Sequence, residues 1–86
     1  MIVEFLGLMM PGEVGISSVV ELGKIIRAVR KESGLTQRDA AALCNVSLPF
    51  LNSLEQGKAT AQIGKVLSVC SRFGIEVRLR LPGGTA

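Results

Sequence analysis

A short stretch near the middle of the sequence constrains the fold more than any other part of the chain. It contains two runs of helix-favouring residues, 37–44 and 48–56, and each run directly follows a residue with a side-chain hydroxyl, Thr36 or Ser47. Such a hydroxyl accepts a hydrogen bond from the free amides of a helix's first turn, so each is expected to begin a helix. Asn45 lies between the runs and tolerates the left-handed conformation that a tight turn requires. The stretch therefore predicts two short helices joined by a tight turn.

Ala41 occupies the position at which these two helices would approach each other most closely, and its small side chain permits a steep crossing. Two helices in this arrangement form a helix-turn-helix, which presents the N-terminus of its second helix to the major groove of DNA. The residues thus indicate a small DNA-binding regulator.

Two further helices flank this pair. Residues 18–32 carry apolar side chains at helical spacing, and Ser18 followed by Glu21 is typical of a capping box. After the pair, Thr60 is expected to cap a fourth helix that runs to Phe73. The apolar positions expected on that helix are Ile63, Val66, Leu67, Cys70 and Phe73.

Beyond Gly74 the spacing of apolar residues changes to every second position, which predicts a half-buried strand. The apolar positions are Ile75, Val77, Leu79 and Leu81. A single strand cannot satisfy its own backbone groups, so it needs a partner. That partner is either the apolar segment 2–8, which could itself be a strand, or the same strand of a second subunit. Arg78 and Arg80 on its polar face are solvent-exposed charges or contacts for a partner.

Composition limits the remaining possibilities. A chain of 86 residues has room for one domain and can bury only roughly 60% of its unfolded surface by itself. Yet 48% of the residues are hydrophobic, which favours burial against a second copy. The net charge of +3 is compatible with phosphate contacts. Cys44 and Cys70 fall on apolar helix faces, where buried thiols are expected.

Several function classes are disfavoured. The first ten residues lack the positive flank of a signal peptide and are about half as long as the ~20 residues of a membrane span, so we expect a cytoplasmic protein without a membrane partner. The chain has no histidine, clustered carboxylates, glycine-rich phosphate loop or cysteine with a base partner. We therefore expect no enzyme, cofactor or metal site.

Residues 18–81 resemble the Xre/Cro-type helix-turn-helix family. The matching signs include Leu22-Gly23, Ile26-Arg27, Arg30-Lys31, Leu35-Thr36-Gln37, Ala41, Val46-Ser47, Leu54-Glu55, Val66-Leu67 and Phe73-Gly74-Ile75. Within that family the segments Phe50-Leu51 and Gly57-Lys58-Ala59-Thr60, together with the terminal strand, are most similar to the HipB-type antitoxins.

This resemblance implies a mainly α fold: a lambda-repressor-like domain of four to five helices, with a C-terminal β-strand that pairs across a dimer. Residues 1–16 would be an extension, either an N-terminal strand or disordered. Residues 17–74 would form the DNA-binding domain, 75–82 the dimerisation strand and 83–86 a tail.

The resemblance also implies roles for individual residues. Gln37 would contact the DNA backbone and brace the second helix of the pair, and Arg30 would form a structural pair with Glu55. The full set expected at DNA is Thr36, Gln37, Ser47, Leu48, Pro49, Asn52, Ser53, Gln56 and Lys58. Phe50 would either pack in the core or lie at the rim of the groove.

One departure from the family pattern concerns base recognition. Many relatives carry polar side chains at the positions of Leu48 and Pro49, which here can offer only apolar contact, for example to thymine methyl groups. Direct readout would then depend on Asn52, whose amide can pair with adenine, and on Ser47 or Ser53.

Three functions remain open at this point. The first is a homodimeric repressor of a palindromic operator in its own promoter, which as an antitoxin also binds a HipA-like kinase toxin. The second is a phage-type or restriction-controller regulator without a toxin. The third, favoured by the apolar Leu48-Pro49 pair, is a helix-turn-helix protein-interaction module that has lost DNA binding.

Overall fold

The computed structural model describes residues 12–83, which form four helices. These are α1 (Val19–Glu32), α2 (Gln37–Cys44), α3 (Leu48–Glu55) and α4 (Ile63–Arg72). The mainly helical fold predicted from the sequence is confirmed. The expected N-terminal strand at residues 2–8 and all but the first residue of the 83–86 tail lie outside the described residues.

Side-chain hydroxyls begin the first three helices as the sequence predicts. Ser18, Thr36 and Ser47 each accept a hydrogen bond from the backbone amide three residues later, at 3.2, 3.0 and 3.1 Å respectively. Each bond satisfies one of the amides that a helix's first turn leaves without a partner. The turn between α2 and α3 contains Asn45 at φ 57° and ψ 44°, the left-handed conformation expected there.

The core lies where α1 and α2 pack against α3, with α4 covering α2. Its buried residues are Ile26, Ala40, Ala41, Cys44, Leu51, Leu54, Val66, Val69 and Cys70. Two glycines allow the backbones of α1 and the α3 region to pack closely together. A Cβ atom on Gly23 would collide with the backbone carbonyl oxygen of Leu54, and one on Gly57 would lie 2.7 Å from the Cα atom of Val20. This close packing fixes the orientation of α3 relative to α1.

The predicted start of the fourth helix is wrong. Thr60 lies exposed in a turn that follows Gly57, and α4 begins only at Ile63, after Gln62, whose side chain makes no capping bond. Thr60 cannot cap α4 because it lies in this turn and is not the residue that directly precedes the helix. The expected apolar face of this helix is confirmed in part: Val66 and Cys70 are buried and Phe73 packs against the core, whereas Ile63 and Leu67 are exposed and Val69 is buried in addition.

The predicted C-terminal strand is not formed within the single chain: residues 12–83 contain no strand, and the segment after α4 is irregular. The Ile75 amide donates to the Cys70 carbonyl oxygen at 2.8 Å, and the Ile75 side chain packs against the core. Val77, Leu79 and Leu81 remain exposed. The physical reason is that a strand exists only with a neighbour that accepts and donates its backbone hydrogen bonds, and the described part of the chain supplies none.

Candidate nucleic-acid interface

The exposed side of α3 carries the residues expected at DNA. Pro49 and Asn52 are exposed, whereas Leu48 and Ser53 are half-buried. Pro49 sits in the first turn of α3, where its missing N–H removes no helical hydrogen bond. The apolar start of α3 is therefore compatible with a stable helix, and Asn52 is the exposed polar residue within it.

Behind this surface, Arg30 of α1 and Glu55 of α3 form a buried ion pair. The guanidinium donates from Nε to Oε2 at 2.6 Å and from Nη2 to Oε1 at 2.9 Å, while Nη1 donates to the Leu35 carbonyl oxygen at 2.8 Å. The two side chains are only 7% and 2% exposed. A two-point contact of this kind fixes both groups, and the extra bond to Leu35 satisfies a third donor of the buried guanidinium.

Gln37 extends this pair towards the surface of α3. Its Nε2 atom donates to Oε1 of Glu55 at 3.0 Å and to Oδ1 of Asn52 at 3.3 Å. Gln56 donates its Nε2 to the same Asn52 oxygen at 3.3 Å. One hydrogen-bond chain thus runs from the buried guanidinium of Arg30 to the exposed amide of Asn52. We call the five residues Arg30, Glu55, Gln37, Asn52 and Gln56 the polar network.

The expected brace between Gln37 and α3 is therefore present. Both protons of the Gln37 amide nitrogen are used inside the protein, and its remaining oxygen can only accept. A phosphate oxygen also only accepts, so the Gln37 side chain can donate to it only by giving up one of these two bonds.

The other expected DNA contacts lie at the ends of the helices. Thr36 and Ser47 are exposed, and their hydroxyl oxygens accept the capping bonds of α2 and α3. Lys58 is exposed just beyond α3, and its amide donates to the Ser53 carbonyl oxygen at 3.1 Å. Thr36 and Ser47 thus stabilise the starts of α2 and α3, and Lys58 places a cation just beyond the end of α3.

Sequence reasoning missed one cation, Lys65 of α4. Its ammonium group lies 5.6 Å from the ring centroid of Phe50, within the range of a cation–π contact. Phe50 itself is half-buried and packs against the core from outside the buried set. No spacing rule within one helix links these two residues, because the contact joins α3 to α4.

The expected dimerisation residues lie in another part of the molecule. Residues 12–16, α1 and the segment after α4 line an open groove, to which Val77, Leu79 and Leu81 contribute. An exposed ion pair spans it, with Nε of Arg78 3.0 Å from a carboxylate oxygen of Glu13. The groove does not include α3.

Both cysteines are free and buried, as the sequence predicts. Burial raises the pKa of the Cys44 thiol and of the Cys70 thiol. Residues 12–83 contain no cluster of three or more side chains suited to binding a metal ion. Within the same range no helix combines the length and the apolar character needed to cross a lipid bilayer.

Comparison with known proteins agrees with this geometry. Residues 26–79 match the family model described as Helix-turn-helix. The chain is 43% identical over 68 residues to the uncharacterized HTH-type transcriptional regulator y4mF of Sinorhizobium fredii, covering 79% of this chain and 90% of that protein. It is 33% identical over 64 residues to the HTH-type transcriptional regulator DdrOP3 of Deinococcus deserti, covering 74% of this chain and 50% of that protein. The chain therefore belongs to the Xre-like helix-turn-helix family of DNA-binding transcriptional regulators.

Proposed function

We propose that the protein is a sequence-specific repressor that binds a palindromic DNA operator as a homodimer. The observation that carries this proposal is the polar network, which holds the exposed amide of Asn52 in one orientation on the outer side of α3. A side chain fixed before binding loses less conformational freedom when it meets a base edge.

Cations around α3 supply the attraction to phosphate. Lys58 lies just beyond its C-terminal end, and the ammonium group of Lys65 lies over the ring of Phe50. Phosphate contacts determine affinity and register without carrying sequence information. We assign this role to Lys58 and Lys65, with Gln56 beside them.

The dimer is proposed from the segment after α4. Leu79 is 83% exposed, Val77 54% and Leu81 51%, and their backbone has no strand partner in the described chain. Pairing with the same segment of a second copy would satisfy those backbone groups and bury the apolar side chains, each worth about 1.5–3 kcal/mol when fully buried. A two-fold dimer would then present two copies of α3 to half-sites about one helical turn apart.

We further propose that this repressor is the antitoxin of a HipBA-like operon in the cytoplasm, with a HipA-like kinase toxin as its second protein partner. The support is the similarity of residues 50–51, 57–60 and the C-terminal segment to HipB-type antitoxins. A phage-type or restriction-controller regulator would share the DNA binding and lack this partner.

Fluorescence anisotropy with duplexes from the protein's own promoter and with a scrambled duplex tests the DNA proposal. We expect tighter binding to the promoter and a fall in affinity with salt, and Lys58→Ala and Lys65→Ala should each reduce the salt slope by about 1. Equal affinity for both duplexes would contradict sequence specificity. No binding to either would favour the protein-interaction module.

Co-expression with a kinase-like protein encoded beside this chain tests the toxin proposal. We expect a complex that survives size-exclusion chromatography and suppresses the growth arrest caused by the kinase. If the two proteins elute separately and growth stays arrested, the regulator acts without this toxin.

A further inference from the structure

The direction of each hydrogen bond in the polar network determines which atoms Asn52 offers to DNA. A carboxylate only accepts hydrogen bonds, so Gln37 must turn its amide nitrogen, not its oxygen, towards Glu55. The second proton of that nitrogen then points to Asn52, so Asn52 must turn its amide oxygen towards it as the acceptor. The charge of Glu55 therefore fixes the orientation of an amide with which it makes no direct contact.

Gln56 reinforces the same orientation. Its amide nitrogen donates to the Asn52 Oδ1 atom from the residue that follows α3, so this oxygen accepts two hydrogen bonds and both of its lone pairs are occupied. Rotating the Asn52 amide by half a turn would place its NH2 group against the NH2 group of Gln37, whose orientation Glu55 fixes. That arrangement would replace this hydrogen bond with a donor–donor contact.

The opposite end of the Asn52 amide is free. Within the described part of the chain, neither proton of its Nδ2 atom is donated to a protein acceptor, and the residue is exposed. Asn52 thus offers DNA the two donors of its Nδ2 atom, while its Oδ1 acceptor is already used within the protein. The adenine pairing expected from the sequence needs both a donor and the acceptor, because the adenine 6-amino group must be accepted while N7 receives a donor.

We infer that Asn52 reads the operator as a hydrogen-bond donor and selects guanine rather than adenine at the base it contacts. Guanine presents two neighbouring acceptors in the major groove, N7 and O6, and no donor there. Gln37 and Gln56 are then positioning residues, which determine the base preference without touching the base. This inference rests on the proposed DNA binding and assigns the chemistry of its central contact.

Selection from a randomised duplex library by the wild-type protein and by Asn52→Ala identifies the contacted base. We expect an enriched motif with guanine at the position whose preference disappears in Asn52→Ala. Adenine at that position, or a motif unchanged by the substitution, would overturn the inference while leaving the proposed function intact. A library without any enriched motif would instead overturn the proposed function, and the inference with it.

Base analogues then test the atoms involved. Replacing the selected guanine by 7-deazaguanine removes the N7 acceptor and should weaken binding of the wild type by roughly 5- to 100-fold, with little effect on Asn52→Ala. Inosine keeps both N7 and O6 and serves as the matched control, for which we expect near wild-type affinity. Equal losses with both analogues would mean that the major-groove acceptors are not what Asn52 reads.

The double substitution Gln37→Met with Gln56→Met tests the positioning role. Without its two donors the Asn52 amide can rotate, so the preference should broaden to include adenine while Asn52 itself is unchanged. Gln62→Met makes the same replacement at an exposed glutamine whose side chain makes no capping bond, and it should leave the motif unchanged. If the double variant, shown to be folded by circular dichroism, keeps a strict guanine preference, the network does not determine the readout.

Discussion

The helix-turn-helix region and the segment after α4 differ in how much of their apolar surface and how many of their charges a single chain covers. In the first, hydroxyls cap α2 and α3, the core side chains are covered, and the charges of Arg30 and Glu55 meet at 2.6 Å. In the second, apolar side chains face outward and the Arg78–Glu13 pair lies in the open. The difference shows that the described chain covers the apolar side chains of its helix-turn-helix region and leaves those of the segment after α4 exposed, and the dimer proposed above would cover them with a second copy.

The largest expected effect is on the free energy of unfolding, and it should differ between the two ion pairs. Arg30→Ala or Glu55→Ala leaves a buried charge without its partner and should lower the free energy of unfolding by about 3–5 kcal/mol. Arg78→Ala removes an arginine from an exposed pair and should change the free energy of unfolding by no more than about 1 kcal/mol. Urea melts of the three variants measure both values. Similar losses for Arg30→Ala and Arg78→Ala would contradict the contrast between the two regions.

The next effect is on DNA affinity. Leu79→Asp places a charge on the most exposed apolar residue of the segment, so it should leave the fold of one chain intact and separate the dimer. Binding to the operator should weaken by about 100-fold, because the two α3 helices no longer bind as one linked unit. Glu76→Ala, also exposed in this segment but polar, is the control, and it should bind within a few-fold of the wild type. Unchanged affinity for Leu79→Asp would place the interface elsewhere.

The smallest expected effect concerns helix capping. Thr36→Ala and Ser47→Ala each remove an observed capping bond and should cost about 1 kcal/mol of unfolding free energy. Thr60→Ala is the matched control, since its hydroxyl caps no helix, and it should change stability by less than about 0.5 kcal/mol. Thermal melts compare all three variants. A loss at Thr60 equal to that at Thr36 would mean that these hydroxyls stabilise the chain in some other way.

These contrasts also show what the sequence could and could not predict. The bounds of α2 and the start of α3 followed from Thr36, Asn45 and Ser47, because caps and turns depend on neighbouring residues. The start of α4 did not, since Thr60 is a residue type that commonly caps helices but lies in a turn after Gly57, three residues before α4 begins.

The candidate site was predictable only in part. The residues on the exposed side of α3 follow from helical spacing, and the Arg30–Glu55 contact followed from the family resemblance. The hydrogen bond from Gln56 to Asn52 joins residues four apart, a spacing that sequence can indicate, whereas the bond from Gln37 to Asn52 depends on how α2 packs beside α3, which no local pattern encodes. Hydrogen-bond direction is a property of the assembled network, so the sequence alone suggested adenine, and the guanine preference that we infer needed the network.

Our central claim is that the helix-turn-helix region folds within one chain, whereas the segment after α4 needs a second copy to cover its apolar side chains. Sedimentation equilibrium of the wild type and of Leu79→Asp tests this claim most directly. We predict a dimeric wild type and a monomeric Leu79→Asp, with circular dichroism showing the same helical content in both. A wild type that stays monomeric at every concentration, or a Leu79→Asp variant that remains dimeric, would contradict the account.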